Sequence, residues 1–394
     1  MNHLVLGDSL DALLDHRGKT PKKLGGDFVS SGVPVASALL VRDGRLDLSE
    51  ARYVSRGMHA KWMPVPTRRG DVILTSEAPA GRVARVTSDD ALVLGQRLFC
   101  LRGKVGVLDS GYLYYALQSH PVQSSILGHS TGTTVVGIRQ SALRQVRIPA
   151  PPFPEQQAIA EVLGALDDKI AANTALAATI DAYLASLLES LVVGVGATHL
   201  ESIATVNARS AKPVSGGELR YVDIASVGVG TFDYPELTPW SDAPGRARRG
   251  LSRGDTVWST VRPNRRSHAL NLEDDPRLVA STGLAVLSPR DGGYAFLYEA
   301  TRRPEFTAYL ENVAEGSAYP AVRAERFLNA PVPDLSPDRV SEFEVQAAPL
   351  REIVASHQRE NRTLAATRDA LLPQLMSGKL RVRDAETIAS NAGA

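Results

Sequence analysis

Positions 159, 163, 166, 170, 173, 177, 180, 184, 187 and 191 alternate steps of four and three, and nine of the ten are apolar. That spacing holds a narrow stripe of one helix against a partner helix, as in a coiled-coil seam. The expected seam is Ile159, Leu163, Leu166, Ile170, Asn173, Ile180, Leu184 and Leu187. The run Pro151-Pro152-Phe153-Pro154 fixes an extended lead-in, and Gly194 and Gly196 end the helix. A helix of roughly 38 residues spans on the order of 57 Å, long enough to act as a spacer between domains.

A second long helix is expected over about Glu342 to Lys379. It offers Leu350, Val354, Leu364, Leu371 and Leu375 on one side, interrupted by His357, Asn361 and Arg368. Counting His357 it holds six basic residues against five acids, whereas the first helix, from Glu155 to Val192, has six acids and one lysine. The acidic helix is therefore a plausible antiparallel partner for the second. The two helices also repeat each other. Asn-x-x-Leu-Ala-Ala-Thr-x-Asp-Ala-x-Leu runs from Asn173 to Leu184 and returns, 188 residues later, from Asn361 to Leu372. Asn173 and Asn361 are candidates to set register in the seam, with local exposure the competing reading.

The remainder repeats more loosely, 184 residues apart. Arg69-Gly70-Asp71 returns as Arg253-Gly254-Asp255, Leu113-Tyr114-x-Ala116 as Leu297-Tyr298-x-Ala300, and Gly132 with Arg139 as Gly316 with Arg323. The chain is a tandem duplication of a globular unit plus a helix, with four residues inserted before the second helix. Each globular unit reads as mixed α+β. Strands are expected over Asp71–Thr75, Val83–Thr87 and Ala91–Leu101 and a short helix over Gly111–Ser119, matched by Thr256–Thr260, Leu278–Leu287 and Ala295–Arg302. The expected division is globular 1–152, helix 153–193, globular 194–338, helix 339–381 and a flexible tail 382–394.

A chain of 394 residues suits two such units, each with its own core. The start carries no basic region followed by an apolar core, and no stretch of about 18 apolar residues occurs, so a cytoplasmic location without a membrane partner is expected. The single cysteine, Cys100, removes disulfides and Cys-based zinc sites. Its setting in Leu98-Phe99-Cys100-Leu101 is that of a buried strand.

Catalytic signatures fail one by one. Ala150-Pro151-Pro152-Phe153 has the shape of an amino-methyltransferase loop, but Ala150 lacks the side-chain acceptor that must hold the target amine. Gly18-Lys19-Thr20 imitates the end of a P-loop, yet Leu13 stands where the first glycine belongs. Asp167-Asp168-Lys169 lies on the heptad helix and reads as a solvated face. The eight histidines form no metal-ligand spacing.

Binding chemistry remains. Net charge is only +1, but between Arg246 and Arg266 seven arginines face one acid, and between Thr67 and Lys104 seven basic residues face four acids. Arginine exceeds lysine 36 to 8, and arginine can fork onto guanine edges as well as pair with phosphate. Candidate DNA contacts in the first unit are Arg69, Arg82, Arg85, Thr131, Thr133, Thr134 and Arg139. In the second they are Arg246, Arg248, Arg249, Arg262, Arg265, Arg266, Tyr319 and Arg323. An ordinary structural turn is the competing reading of each loop.

Pro151-Pro152-Phe153-Pro154-Glu155-Gln156-Gln157-x-Ile159-Ala160-x-x-Leu163-x-x-x-Asp167-x-x-Ile170 resembles the central conserved region of specificity subunits of type I restriction-modification systems. Leu371-Leu372-Pro373-Gln374-Leu375-Met376-Ser377-Gly378-Lys379-Leu380 resembles their distal conserved region. The resemblance implies two target recognition domains held apart by two antiparallel helices about a pseudo-twofold axis. Each domain would read one half of a split sequence in double-stranded DNA. The helices, with Glu155 and Gln156 at their start, would dock two modification subunits carrying S-adenosylmethionine. Motor-nuclease subunits using ATP and magnesium would join for cleavage, and this chain would hold no cofactor and catalyse nothing. The second copy departs from the pattern, reading Pro333-Asp-Leu-Ser-Pro337-Asp338 and then Phe343-Glu-Val-Gln346. The alternatives are a self-sufficient methyltransferase or nuclease, or a coiled-coil scaffold that joins proteins without touching DNA.

Overall fold

A computed structural model describes residues 2–42, 44–132, 136–291, 293–316 and 319–394. The chain forms two compact units, Met1–Ala171 with Glu360–Ala394, and Ala172–Arg359. The division cuts both long helices, Phe153–Leu191 and Pro337–Ser377, so each unit owns half of each.

The duplicated sequence builds the same sheet twice. In the first unit the strand order is Leu10–Asp15, Leu98–Gly103, Val72–Thr75, Val83–Arg85, all antiparallel. In the second it is Ala204–Val206, Leu284–Pro289, Thr256–Ser259, His268–Leu270, again antiparallel. The helices Ser110–Gln118 and Tyr294–Arg302 follow at equivalent places. The expected strand Ala91–Leu101 is two strands, Val93–Leu94 and Leu98–Gly103, and Leu278–Leu287 likewise divides into Leu278–Ser281 and Leu284–Pro289. The break comes where the chain leaves one sheet for another. Val93–Leu94 runs parallel to Val33–Ala36, and Leu278–Ser281 runs parallel to Glu218–Val222. At Gly95 the backbone closes on Ala36, and a Cβ there would meet the Ala36 carbonyl oxygen. In the second unit this sheet gains an edge strand, Ala247–Gly250, which carries Arg248 and Arg249.

The seam residues serve more than a helix pair. Ile159, Leu163 and Leu166 pack with Leu364, Leu371 and Leu375 in a core shared with Tyr112, Leu113 and Ile148 of the first globular part. In the second unit Ile180 and Leu184 join Val354, Phe296, Phe306 and Phe343, with Leu187 and Leu350 partly buried beside them. Val162 and Leu188, outside the four-three series, are also buried, which widens the expected narrow seam into a core-facing stripe. Ile170 and Asn361 are half-buried and Asn173 is buried.

Charge follows the expected complementarity inside each unit. Arg368 of the second helix reaches Asp167 of the first at 2.7 Å, and Lys169 pairs with Glu360 at 3.7 Å. In the second unit the buried Arg351 binds Asp181 of the first helix and Glu299 of Tyr294–Arg302, and Arg302 adds contacts of 3.1 Å to both acids. The expected flexible tail is instead a helix, Val382–Asn391, because Ala385 and Ala389 are buried in the first unit's core beside Leu375 and Met376.

Candidate nucleic-acid interface

The two ends of the central strands differ in role. At the leading end lies the repeated Arg-Gly-Asp turn. Gly70 and Gly254 adopt φ +89° and +86°, the left-handed region that glycine enters without penalty. Each aspartate then folds back, Asp71 accepting the N–H of Arg68 at 2.8 Å and Asp255 that of Ser252 at 2.7 Å. A neighbouring arginine holds each carboxylate, Arg102 through two bonds of 2.7 Å and Arg209 through its guanidinium. The repeat therefore preserves a turn. Arg253 in that turn donates to Glu352 of the second long helix and to the Leu272 carbonyl oxygen. At the same end Arg85, opposite Val72, meets Asp168 at 3.3 Å. Arg69 is exposed on its turn. The three arginines are thus at the end of the sheet that adjoins the long helices.

At the trailing end, three loops join into a rim by the same hydrogen bonds in both units. Ser76 donates its N–H to Arg97 O at 2.9 Å, and Ile138 donates to Ser76 O at 2.8 Å. Their counterparts are Thr260 to Gly283 O at 2.9 Å and Val322 to Thr260 O at 2.8 Å. Bridges Glu77–Gly137 and Thr131–Gly137 correspond to Val261–Ala321 and Glu315–Ala321, so two of the three loops keep the 184-residue register of the sequence, while the third, at Arg97 and Gly283, is shifted by two residues. Gly132 and Gly316 have positive φ, +122° and +96°, which explains their repetition in these loops.

One position in the rim is strained in both copies. Ala78 has φ +57° and Arg262 has φ +52°, each directly before a proline. Left-handed backbone at a residue with a side chain is costly and persists where the surroundings enforce it, a pattern concentrated at functional sites.

The side chains on the rim differ between the units. In the second, the Arg262 guanidinium lies 4.5 Å from the centre of the Tyr319 ring, and Tyr319 is 69% exposed. Arg265 is exposed, while Arg266 donates to Arg302 O at 2.6 Å. Arg323 starts the turn Ala324–Asn329 and pairs with Glu315 at 3.3 Å. Arg246 joins the rim through its carbonyl, which accepts the N–H of Thr282 at 2.9 Å. Arg248 is exposed, but Arg249 is half-buried and donates to Leu284 O; burial lowers its pKa.

In the first unit Arg139 is exposed at the start of Gln140–Leu143, Thr131 is exposed, and Arg82 donates to Val41 O at 3.4 Å. Thr133 and Thr134 lie outside the described residues. No sequence pattern marks Ala78, Arg97 or Arg17. Arg97, at φ +67°, pairs with Glu77 at 3.0 Å, and Arg17 lies 4.2 Å over the Phe99 ring while bonding Asp15. Neither the left-handed backbone nor the acidic partner of Arg97 announces itself locally, since both depend on the loops meeting.

At the helix starts, Glu155 is exposed, but Gln156, expected at a docking surface, is buried. Its amide is consumed internally. It accepts from Asp109 N at 3.0 Å and donates to Val107 O at 3.1 Å and Pro151 O at 3.0 Å, fastening the long helix to the start of Ser110–Gln118. Glu344 does the corresponding work in the second unit by accepting from Phe296 N at 2.6 Å. The departure of the second copy from Pro-Glu-Gln-Gln thus leaves an acceptor in place. The first long helix is long and apolar enough in composition to cross a membrane, but its apolar stripe is committed to the two cores. Among the described residues no group of His, Cys, Asp or Glu could hold a metal ion.

Comparison with known proteins agrees with this geometry. Residues 17–182 match the family described as type I restriction modification DNA specificity domain. The type I restriction enzyme MjaIX specificity subunit of Methanocaldococcus jannaschii is 37% identical over 102 residues, 26% of this chain and 23% of that protein. The putative type I restriction enzyme MjaX specificity subunit of the same organism is 28% identical over 145 residues, 35% of this chain and 34% of that protein. The matched regions thus span about a quarter to a third of these curated relatives. The crystal structure of the type I restriction-modification system S subunit from M. genitalium has the same fold, with a TM-score of 0.57 at 18% identity, covering 95% of each chain.

Proposed function

We propose that this chain is the DNA sequence-specificity subunit of a type I restriction-modification complex. Each unit reads one half of a bipartite target in double-stranded DNA through its rim, and the long helices set the number of base pairs left unread between the halves. The observation that carries this reading is the duplicated rim: the same three loops joined by matching bonds, two of them in the 184-residue register, bearing different side chains. A duplicated reader of an asymmetric target needs a common frame with variable contacts. Arginines on the rim match the chemistry of both phosphates and guanine edges.

Catalysis belongs to partners in this reading. Two modification subunits would bring S-adenosylmethionine, restriction subunits would bring ATP and magnesium, and this chain would orient them on DNA while holding no cofactor itself. The exposed side of the first helix, including Glu155, is the place for docking, since Gln156 is spent on internal bonds. A soluble cytoplasmic complex is the expected setting. Sequencing of methylated bases in cells expressing the chain with its modification subunit tests this. A two-part adenine motif with a fixed gap is expected; methylation without such a motif would refute it.

A further inference from the structure

Several arginines of the second unit are committed to carboxylates, among them Arg220 to Asp275, Arg253 to Glu352, Arg303 to Glu189 and Arg351 to Asp181. Arg262 is different. Among the described residues no carboxylate pairs with it, and its contact is the face of Tyr319 at 4.5 Å. A guanidinium resting over a ring is restrained in position while its N–H donors remain available. The backbone supports the same arrangement. Arg262 N donates to Pro320 O at 2.7 Å, and Val261 bridges to Ala321, so the two loops that carry the pair are tied together directly beside it. The left-handed φ of +52° at Arg262 is part of this geometry. An outward ring, 69% exposed, would not hold a long cation in place merely for stability, because exposed contacts of this type contribute little.

We infer that Arg262, held over Tyr319, is a specificity-determining residue that reads a guanine in the half-site of the second unit. The inference rests on the proposed DNA-reading function. A guanidinium held in position, with its N–H donors not taken by a carboxylate, matches the two acceptors, O6 and N7, that guanine presents in the major groove. The equivalent position in the first unit is Ala78, at φ +57°. A methyl group there offers no hydrogen bond and suits contact with a thymine methyl instead. The same strained position thus carries a guanine reader in one unit and none in the other, which makes the recognised target asymmetric.

The experiment uses the full chain assembled with its modification subunits, reading both the methylated motif and the salt dependence of binding to oligonucleotides. Arg262→Ala should relax one G·C position in one half-site by about 5- to 150-fold while the other half-site keeps its preference. Tyr319→Ala should relax the same position more weakly, and Arg262→Lys should retain part of it. Equal weakening on all sequences, with the salt slope reduced by about one, would make Arg262 a phosphate contact and overturn the inference. An unchanged motif in Arg262→Ala overturns it too. Should Arg262→Ala fail to fold, Arg262→Lys and Tyr319→Ala decide by whether they relax a single G·C position. Absence of any two-part motif with the unsubstituted chain is a separate result, and it removes the DNA-reading function itself.

Discussion

The carboxylate of Glu344 accepts the N–H of Phe296 at 2.6 Å, and this bond replaces a side-chain cap that the helix Tyr294–Arg302 lacks, since Gly293 precedes it. In the first unit the job is divided: Asp109 caps Tyr112 N at 2.9 Å and Gln156 accepts from Asp109 N. Burial raises the pKa of Glu344 above the usual 4.5, against the backbone N–H bonds that lower it. The folded state therefore holds the proton more readily than the unfolded chain, and this group's contribution declines as pH rises through the raised value. Glu344→Gln keeps an acceptor and removes the charge, so it should be at least as stable as the original at neutral pH, with a flatter profile above pH 4.5. Glu344→Ala should lose about 1 kcal/mol. Urea unfolding across pH checks both, and equal destabilisation by the two substitutions would contradict the account.

Arg351 is 3% exposed and joins Asp181 and Glu299, the latter 2% exposed. Removing one partner of a buried ion pair leaves the other charge poorly compensated away from water, and Glu299 would keep only Arg302, at 3.1 Å. Arg351→Ala should therefore destabilise the chain by about 3–5 kcal/mol, whereas Arg351→Met with Glu299→Gln should recover much of the loss. A double-mutant cycle followed by denaturant unfolding gives the coupling. Additive effects of the two substitutions would show that the pair is not coupled.

The long helices and their charge complementarity were legible because a spacing of three and four is a local property of sequence. Leu163, Leu364, Leu371 and Leu184 are all fully or nearly fully buried as that spacing predicts. The rim was legible only in part. Its repeated glycines and arginines stood out, but composition does not separate a free arginine from a committed one. The partner of Arg253 is 99 residues away at Glu352 and that of Arg85 is 83 residues away at Asp168. Ala78 left no trace, because alanine is not expected in left-handed backbone and only the meeting of loops enforces it. Gln156 misled for a related reason: a polar side chain at a helix start reads as exposed until its three partners are assembled around it.

The helix Val382–Asn391 buries Ala385 and Ala389 against the core that holds Leu375 and Met376. Ending the chain after Leu380 would uncover that patch. The first unit should lose on the order of 2 kcal/mol from the apolar area re-exposed. Thermal unfolding of the shortened chain measures it. An unchanged midpoint would mean that this helix contributes nothing to the core.

His268 is 1% exposed, stacked on Trp258 with ring centres 4.8 Å apart, and its Nδ1 lies 2.6 Å from Arg266 O beneath the rim of the second unit. Burial pushes its pKa down to about 4; the cations Arg302 and Arg266 act in the same direction, and the Arg266 carbonyl bond and Asp181 oppose them. Between the unfolded value of 6.5 and about 4, the unfolded chain takes up a proton that the folded chain refuses. Stability from this group is therefore present above pH 6.5 and is lost as pH falls toward 4. The shift corresponds to a loss on the order of 3 kcal/mol across that window. His268→Phe keeps an aromatic ring on Trp258 without a titrating group. Its urea midpoint should vary less with pH across that window than that of the unsubstituted chain, after a constant offset for the lost bond to Arg266 O. Parallel profiles for the two chains would place the acid sensitivity elsewhere.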